Sequence, residues 1–222
     1  MAGGGHAPCR AAGLQGAQRL RTMRRPPADE CAMPITLPAD ARVLLLRHGA
    51  FERAEDAEGR LHERLLPEAV AQADALAAAI ADSGRRAVLY TSPQSRAVLT
   101  AERLALRLEL TVFADPDLAE LRLGRDPDLD GSHTREIWRR ARAQPGVPAL
   151  EGAETVTALA ARAAATLTAA VRAHPDRLVL AVSHGGLVEA VLVALGGDTA
   201  PREIGYGEAF ALAGTRLAPI TV

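Results

Sequence analysis

Short apolar runs alternate with segments of helical periodicity from residue 41 to the C-terminus. The apolar runs end abruptly in polar residues, which is typical of buried strands. The predicted strands are Val43–Leu46, Ala87–Thr91, Thr111–Phe113, Leu178–Val182, Ala209–Leu212 and Arg216–Ile220. The predicted helices are Leu66–Asp82, Pro93–Leu108 with Ser92 as its cap, Ala153–Ala173 and Gly186–Leu195. Strands that alternate with helices predict an α/β fold, a three-layer α/β/α sandwich around a mostly parallel sheet.

Two segments depart from this alternation. Residues 1–40 are rich in Gly, Ala, Arg and Pro without a sustained period, so we expect a disordered extension before one domain at 41–222. The arginines of the extension leave a targeting peptide or a nucleic-acid arm open, and Met33 is an alternative start. Residues 124–150 are polar and hold the only tryptophan, Trp138. We expect a small inserted lid there, with a short helix near Arg135–Arg142.

The composition argues against several classes of protein. The 26 basic and 27 acidic residues nearly cancel, which argues against a protein that coats nucleic acid. No apolar run approaches the roughly 20 residues that a membrane-spanning helix needs. Cys9 and Cys31 are too few for a disulfide framework and too isolated for a metal site. We therefore expect a cytoplasmic protein with no metal or other cofactor, no nucleic-acid partner and no membrane contact.

Four polar clusters follow four of the predicted strands, and the first strand is expected to lead directly into a loop. The clusters are Arg47-His48-Gly49, Ser92-Pro93-Gln94-Ser95-Arg96, Glu120 and Ser183-His184-Gly185-Gly186. The carboxyl ends of parallel strands meet at one edge of the sheet, where α/β proteins bind ligands. We therefore expect the four clusters to converge.

The residue types in these clusters suit phosphoryl transfer. Arginine forks match phosphate oxygens through pairs of charge-assisted hydrogen bonds. A neutral imidazole can attack phosphorus and form a phosphohistidine, which divides one difficult displacement into two. A carboxylic acid can protonate the departing alkoxide and later deprotonate the water that releases phosphate. The convergence predicts a phosphomonoesterase that acts on a small phosphorylated substrate without a metal.

Five segments of the chain, in order, resemble the histidine phosphatase superfamily, which has a phosphoglycerate mutase-like fold. They are LLLRHGA, TSPQSRAVLTAE, LAELRLG, EGAET and VSHGG, and the resemblance covers almost everything from Arg42 onward. It implies that His48 is the nucleophile and that Glu120 is the proton donor. It further implies that Arg47, Gly49, Arg96 and His184 form the phosphate pocket. Of these four residues, His184 is also implied to take part in catalysis.

The chain also departs from the family pattern. Ala50 and Phe51 stand where the family usually has an acidic or polar residue and then a hydroxyl, which places an aromatic ring near the expected entrance. The Asn that follows the second His-Gly of phosphoglycerate mutases is absent, so a phosphatase is favoured over a mutase. A phosphomutase and a non-catalytic phosphate- or partner-binding protein of the same fold stay open as alternatives.

The arginines in or beside the predicted lid allow two interpretations. They form a solvated face balanced by nearby aspartates, or they recognise a second anionic group of the substrate. They are Arg122, Arg125, Arg135, Arg139, Arg140 and Arg142. The candidate substrates include sugar phosphates, nucleotide-derived phosphates, a ribazole phosphate and protein phosphohistidine.

Overall fold

The computed structural model describes residues 35–124, 131–195, 203–214 and 216–220. Most of the predicted extension, residues 1–34, lies outside these ranges. Near the start of the described chain, Ile35 and Leu37 pack against a hydrophobic cluster on one face of the sheet.

Strands and helices alternate along the described chain. The strands are β1 (Val43–Arg47), β2 (Phe51–Glu55), β3 (Leu61–Leu65), β4 (Ala87–Thr91), β5 (Val112–Ala114), β6 (Leu178–Ser183), β7 (Ala209–Ala213) and β8 (Arg216–Ile220). The helices are α1 (Pro67–Asp82), α2 (Ser95–Leu108), α3 (Gly131–Ala143), α4 (Val156–Ala173) and α5 (Gly185–Ala194), with a 3-10 turn at Pro116–Leu118. No helix within the described ranges is long and apolar enough to cross a membrane.

Six of the strands form one sheet in the order β5-β4-β6-β1-β7-β8. Neighbours among β5, β4, β6 and β1 are parallel, whereas β7 is antiparallel to both β1 and β8. The register pairs Arg47 with Ser183 and Thr91 with Val182, so β1, β4 and β6 end at the same edge. The mostly parallel sheet confirms the predicted α/β fold.

Helices cover both faces of this sheet. α1 and α2 pack against the face to which Leu44 and Leu46 point, and α4 and α5 pack against the face of Val43 and Leu45. Successive residues of a strand point to opposite faces, so a strand buried on both sides must be apolar throughout. This requirement explains the uninterrupted apolar runs of the strands. The sheet and the helices on its two faces form the predicted three-layer sandwich.

A two-stranded hairpin of β2 and β3 occupies a segment for which the sequence predicts only a loop. Phe51 pairs with Leu65 and Glu55 pairs with Leu61 in an antiparallel register. Gly59 lies in the connecting turn with φ of 76°, a conformation that glycine adopts without a steric penalty. Charged side chains of both signs occupy most of the hairpin, so no apolar alternation marks its strands.

The second long helix begins later than predicted, so its expected cap is wrong. α2 starts at Ser95, and Gln94 rather than Ser92 occupies the N-cap position. The Ser92 hydroxyl instead lies 2.8 Å from Nε2 of His184. A contact between distant parts of the chain therefore replaces the local cap.

The predicted lid contains α3, which is longer than the helix expected near Arg135–Arg142. Ile137 and Ala141 of this helix are buried in a cluster that includes Leu118 and Leu121. One face of the inserted segment therefore packs on the core of the domain.

Thr100 links the loop after β1 to α2. Its hydroxyl accepts a hydrogen bond from Gly49 N at 3.0 Å and donates one to Arg96 O at 2.9 Å, and the side chain is buried. We expect Thr100→Val, which keeps the shape and leaves the Gly49 N–H unpaired, to lower the free energy of unfolding by about 1–3 kcal/mol. Urea unfolding measures this difference. The control Thr168→Val lies on the exposed side of α4 and should change stability by no more than about 0.5 kcal/mol; equal effects of the two substitutions would contradict the prediction.

Candidate active site

The carboxyl ends of β1, β4 and β6 bring three of the predicted polar clusters together. His48 N donates a hydrogen bond to Ser183 O at 2.8 Å, and Ser92 N donates one to Val182 O at 2.9 Å. The backbone ladder thus continues past the strand ends. It fixes the start of each loop and hence the direction in which the first loop residues leave the sheet.

Gly49 packs behind His48 and does not line the cavity of the site. Its N–H is donated to Thr100, and a Cβ atom at this position would come within 2.7 Å of the Cβ of Ala69 on α1. The close approach of the loop to α1 therefore requires glycine. The Gly49 N–H is already donated to Thr100, and the phosphate contact of Gly49 stays a prediction.

His48 is buried, with 4% of its surface exposed, and its two ring nitrogens have different partners. Nδ1 lies 3.0 Å from Gly49 O, an atom that can only accept a hydrogen bond. Nε2 lies 3.1 Å from Arg96 Nε, whose N–H can only donate. The neutral ring must therefore carry its proton on Nδ1 and its lone pair on Nε2.

The surroundings of His48 keep its ring neutral. Burial lowers the pKa of His48 from 6.5 to about 4. The hydrogen bond to Gly49 O opposes this change, whereas the positive charges of Arg96 and Arg47 reinforce it. The Nε2 lone pair is therefore available throughout the neutral pH range.

His184 precedes α5 and is also buried. Its ring centroid lies 5.2 Å from that of His48. Ser92 Oγ accepts a hydrogen bond from Gln94 N at 3.3 Å. The hydroxyl proton of Ser92 is then available for a hydrogen bond to Nε2 of His184. Nδ1 of His184 is buried and has no hydrogen-bond partner among the described residues. Burial lowers the pKa of His184 far below its ordinary value, and the positive charge of Arg96 adds to this effect.

Arg47 and Arg96 both lie close enough to this pair of rings to lower the pKa of each histidine. The guanidinium carbon of Arg47 is 3.8 Å from the centroid of the Tyr206 ring, and its buried Nε has no hydrogen-bond partner in the described part of the chain. Arg96 occupies the first turn of α2, where the helix dipole disfavours a cation. Its position is therefore better explained by its contact with His48 than by the stability of the helix.

Residues that precede β7 complete this side of the site. β7 is antiparallel to β1, so its leading end reaches the edge at which the parallel strands end. Arg47 N donates a hydrogen bond to Glu208 O at 3.0 Å, and Gly207 N donates one to His48 O at 3.2 Å. These bonds hold Tyr206 beside His48, with 5.5 Å between the ring centroids.

Glu120 reaches the same edge from the segment that follows β5. Its Oε1 accepts a hydrogen bond from Leu121 N at 2.9 Å, and its Oε2 accepts one from Gly186 N at 3.2 Å. Burial raises the pKa of Glu120, although these two N–H groups stabilise the charged form. A carboxyl group whose pKa is raised holds its proton to higher pH, which suits a proton donor.

A cavity of about 680 Å³ opens beside these residues. Phe51 lines it as the sequence predicts, 5.5 Å from the His48 ring. The lining residues that the sequence does not assign to the site include Arg53, Glu189, Glu203, Ile204 and Tyr206. Glu189 carries a signal that could have found it, because it is the one charged residue in the otherwise apolar helix α5. Across the described residues, no group of three or more His, Cys, Asp or Glu side chains is arranged to hold a metal ion.

The lid arginines are not equivalent. Arg142 lines the cavity, whereas Arg139 pairs with Glu136 on the exposed surface of α3. The side chains of Arg125 and Arg135 lie outside the described residues. Among the arginine side chains of α3 that the structure describes, Arg142 is thus the one that lines the cavity.

The α/β sandwich, with two buried histidines and two arginines clustered at the carboxyl edge of its sheet, defines a phosphatase of the phosphoglycerate mutase-like class. Residues 43–207 match the family model of the histidine phosphatase superfamily, branch 1, and the chain belongs to this superfamily.

The curated relatives that match are named as phosphatases. Glucosyl-3-phosphoglycerate phosphatase of Mycobacterium tuberculosis is 30% identical over 171 residues, covering 69% of this chain and 74% of the relative. A structure of the mycobacterial glucosyl-3-phosphoglycerate phosphatase with VO3 has a TM-score of 0.61 at 26% identity, over 81% of this chain and 97% of that one. Bacillus stearothermophilus YhfR shares the fold, with a TM-score of 0.61 at 21% identity over 80% and 94% of the two chains. The chain is thus a phosphoric monoester hydrolase.

We expect the imidazole of His48 to stay neutral until the pH falls to about 4, because burial disfavours its charged form. An imidazole in water has a reference pKa of about 6.5. Long-range ¹H–¹⁵N NMR of the free enzyme follows the titration directly, and the signal that disappears in His48→Ala assigns it. The same spectra report the tautomer, for which we expect the proton on Nδ1. A midpoint near the reference value, or a proton on Nε2, would contradict the prediction.

Proposed function

We propose that the chain hydrolyses small phosphomonoesters through a phosphohistidine formed at Nε2 of His48. The observation that carries this proposal is the pair of hydrogen bonds at the ring, which leaves the lone pair on Nε2 beside the guanidinium group of Arg96. An imidazole that is neutral and correctly oriented before the substrate arrives is a preorganised nucleophile.

In the first step, Nε2 of His48 forms a bond to phosphorus and the bond from phosphorus to the leaving oxygen breaks. Arg47 and Arg96 stabilise the charge on the phosphoryl oxygens. The unpaired Nε of Arg47 and the unpaired Nδ1 of His184 support this assignment, since buried polar atoms without partners are rare in folded proteins. With the Ser92 hydroxyl donating to its Nε2, His184 carries its proton on Nδ1 and donates from there to a phosphoryl oxygen.

Glu120 provides the proton for the leaving oxygen in that step. In the second step it takes a proton from water, the water oxygen attacks phosphorus, and the bond between phosphorus and Nε2 breaks. Inorganic phosphate leaves, and both His48 and Glu120 return to their starting protonation states. The raised pKa of Glu120 supports this double role.

Glucosyl-3-phosphoglycerate is the first substrate to test, because the relative from Mycobacterium tuberculosis is named for it. A cavity of about 680 Å³ exceeds the space that a phosphoryl group alone requires, which supports a substrate with a sizeable organic part. No observation in the structure favours a phosphomutase, and a cytoplasmic location stays a prediction from the sequence.

We expect His48→Ala to lower the release of phosphate from p-nitrophenyl phosphate by at least about 10³-fold, because a covalent catalyst loses its nucleophile. The variant should also fail to take up the acid-labile protein-bound phosphate that rapid quenching detects in the wild type. His62→Ala, an exposed histidine on β3, is the matched control and should keep both properties. Acid-labile label that persists in His48→Ala would overturn the assignment of the nucleophile. Phosphate release that requires a bisphosphorylated primer would favour the mutase.

We expect Glu120→Gln to impair the hydrolysis of alkyl phosphates far more than that of p-nitrophenyl phosphate. An alkoxide needs a proton to leave, whereas p-nitrophenolate departs without one. The kcat/KM for glycerol phosphate should fall by about 10²–10⁴-fold, the usual contribution of a general acid. Asp117→Asn, a nearby exposed carboxylate, serves as the control. Equal losses on the two substrates would exclude Glu120 as the proton donor.

A further inference from the structure

Glu189 is a buried charge that the proposed mechanism does not use. It lies on α5 among apolar neighbours, and 8% of its surface is exposed. A carboxylate in such surroundings is costly unless a cation compensates for its lost hydration. Nη2 of Arg142 forms an ion pair with Oε2 of Glu189 at 2.5 Å and lowers the pKa of that carboxyl, although burial raises it by more. Both side chains line the cavity that contains His48.

Arg142 belongs to α3 and connects Glu189 to Trp138. The guanidinium carbon of Arg142 lies 5.5 Å from the centroid of the Trp138 ring. Positions 138 and 142 are one helical turn apart, so their side chains lie on the same face of α3. The ion pair therefore links the face of α3 that carries Trp138 to the helix that carries Glu189.

Trp138 and Glu120 meet at Gly186. A Cβ atom built at Gly186 would overlap the Trp138 ring and also contact Oε1 of Glu120. Gly186 N is the donor to Oε2 of the same carboxyl group. The indole ring of Trp138 thus lies against the small surface on which the Glu120 carboxyl rests, and it limits the access of water to that carboxyl.

The rest of α3 has its own attachment to the core. Ile137 and Ala141 are buried at 4% and 1% exposure in the cluster beneath the helix. These two residues are again one turn apart, on a face next to that of Trp138 and Arg142. Loss of the ion pair should therefore leave α3 folded while it loosens the face that meets the cavity.

We propose that the Arg142–Glu189 ion pair is a latch that holds Trp138 over Glu120 and thereby supports proton transfer to the leaving group. Arg142 and Glu189 are positioning residues in this scheme, because they act through Trp138. The inference rests on the proposed role of Glu120 as the proton donor. It also explains why a charged residue occupies the middle of the apolar helix α5.

The test uses the neutral variants Glu189→Gln and Arg142→Met and the double variant. Trp138 is the only tryptophan of the chain, so intrinsic fluorescence reports on the latch directly. In each variant we expect stronger quenching of Trp138 by acrylamide than in the wild type. We expect kcat/KM for glycerol phosphate to fall by about tenfold to a hundredfold, with less than about a threefold change for p-nitrophenyl phosphate. The double variant should lose no more than either single variant, because both remove the same contact.

Two further comparisons separate positioning from general damage to the fold. Glu189→Asp and Arg142→Lys keep the charges and should recover part of the activity on glycerol phosphate. Glu136→Gln and Arg139→Met break an exposed ion pair of 2.6 Å on the same helix and should change neither fluorescence nor the ratio of the two substrates. Far-UV circular dichroism checks that every variant is folded.

The latch is overturned if quenching of Trp138 is unchanged in the two single variants. It is also overturned if the single variants impair both substrates equally, or if their losses multiply in the double variant. Glu120→Gln separates this failure from that of the proposed function. If Glu120→Gln discriminates between the substrates and the latch variants do not, the latch alone fails. If Glu120→Gln itself does not discriminate, the assignment of the proton donor fails.

Discussion

The hydrogen bond from Arg96 Nε to Nε2 of His48 constrains the rest of the site. A guanidinium group can only donate, so the bond exists only while the imidazole is neutral at that nitrogen. Neutrality in turn requires burial, because a solvated imidazole beside a carboxylate such as Glu63 would gain a proton more readily. The three-layer sandwich provides that burial, and the carbonyl group of Gly49 provides a second partner that fixes the ring.

The same constraint accounts for several features around the ring. The loop after β1 must pass close to α1, which requires glycine at position 49. Its N–H must then find a buried acceptor, and Thr100 on α2 supplies one. α2 must also present Arg96 from its first turn, a position that favours anions over cations. The local preferences of α2 are thus subordinate to the contact with His48.

The sequence predicts the parts of the fold that are governed by burial on two sides. β4 and β6 are found at nearly the predicted residues, because only apolar side chains are tolerated there. The hairpin of β2 and β3 is stabilised by backbone pairing between mostly exposed residues, so its sequence shows no apolar alternation. The hydroxyl group of Ser92 predicts a helix cap, because hydroxyl groups favour that position. Its contact with His184 depends on residues that are distant in the sequence, and no local preference reveals it.

The candidate site likewise contains residues that the sequence predicts and residues that it does not. The clusters at the ends of parallel strands converge as predicted, since the topology of the sheet brings those ends together. Glu203 and Tyr206 reach the site by another route, ahead of an antiparallel strand. The general rule for parallel sheets does not point to residues that precede a strand.

Phosphoryl transfer and the shape of the cavity wall depend on different segments of the chain. The groups proposed to act on phosphorus follow β1, β4 and β6, whereas Tyr206 arrives on the approach to β7. Substitutions on that approach can alter the wall of the cavity while the hydrogen bonds of His48 to Arg96 and Gly49 persist. A fold built in this way can acquire new substrates over evolution by changing one short segment, and it can retain a single chemical step throughout.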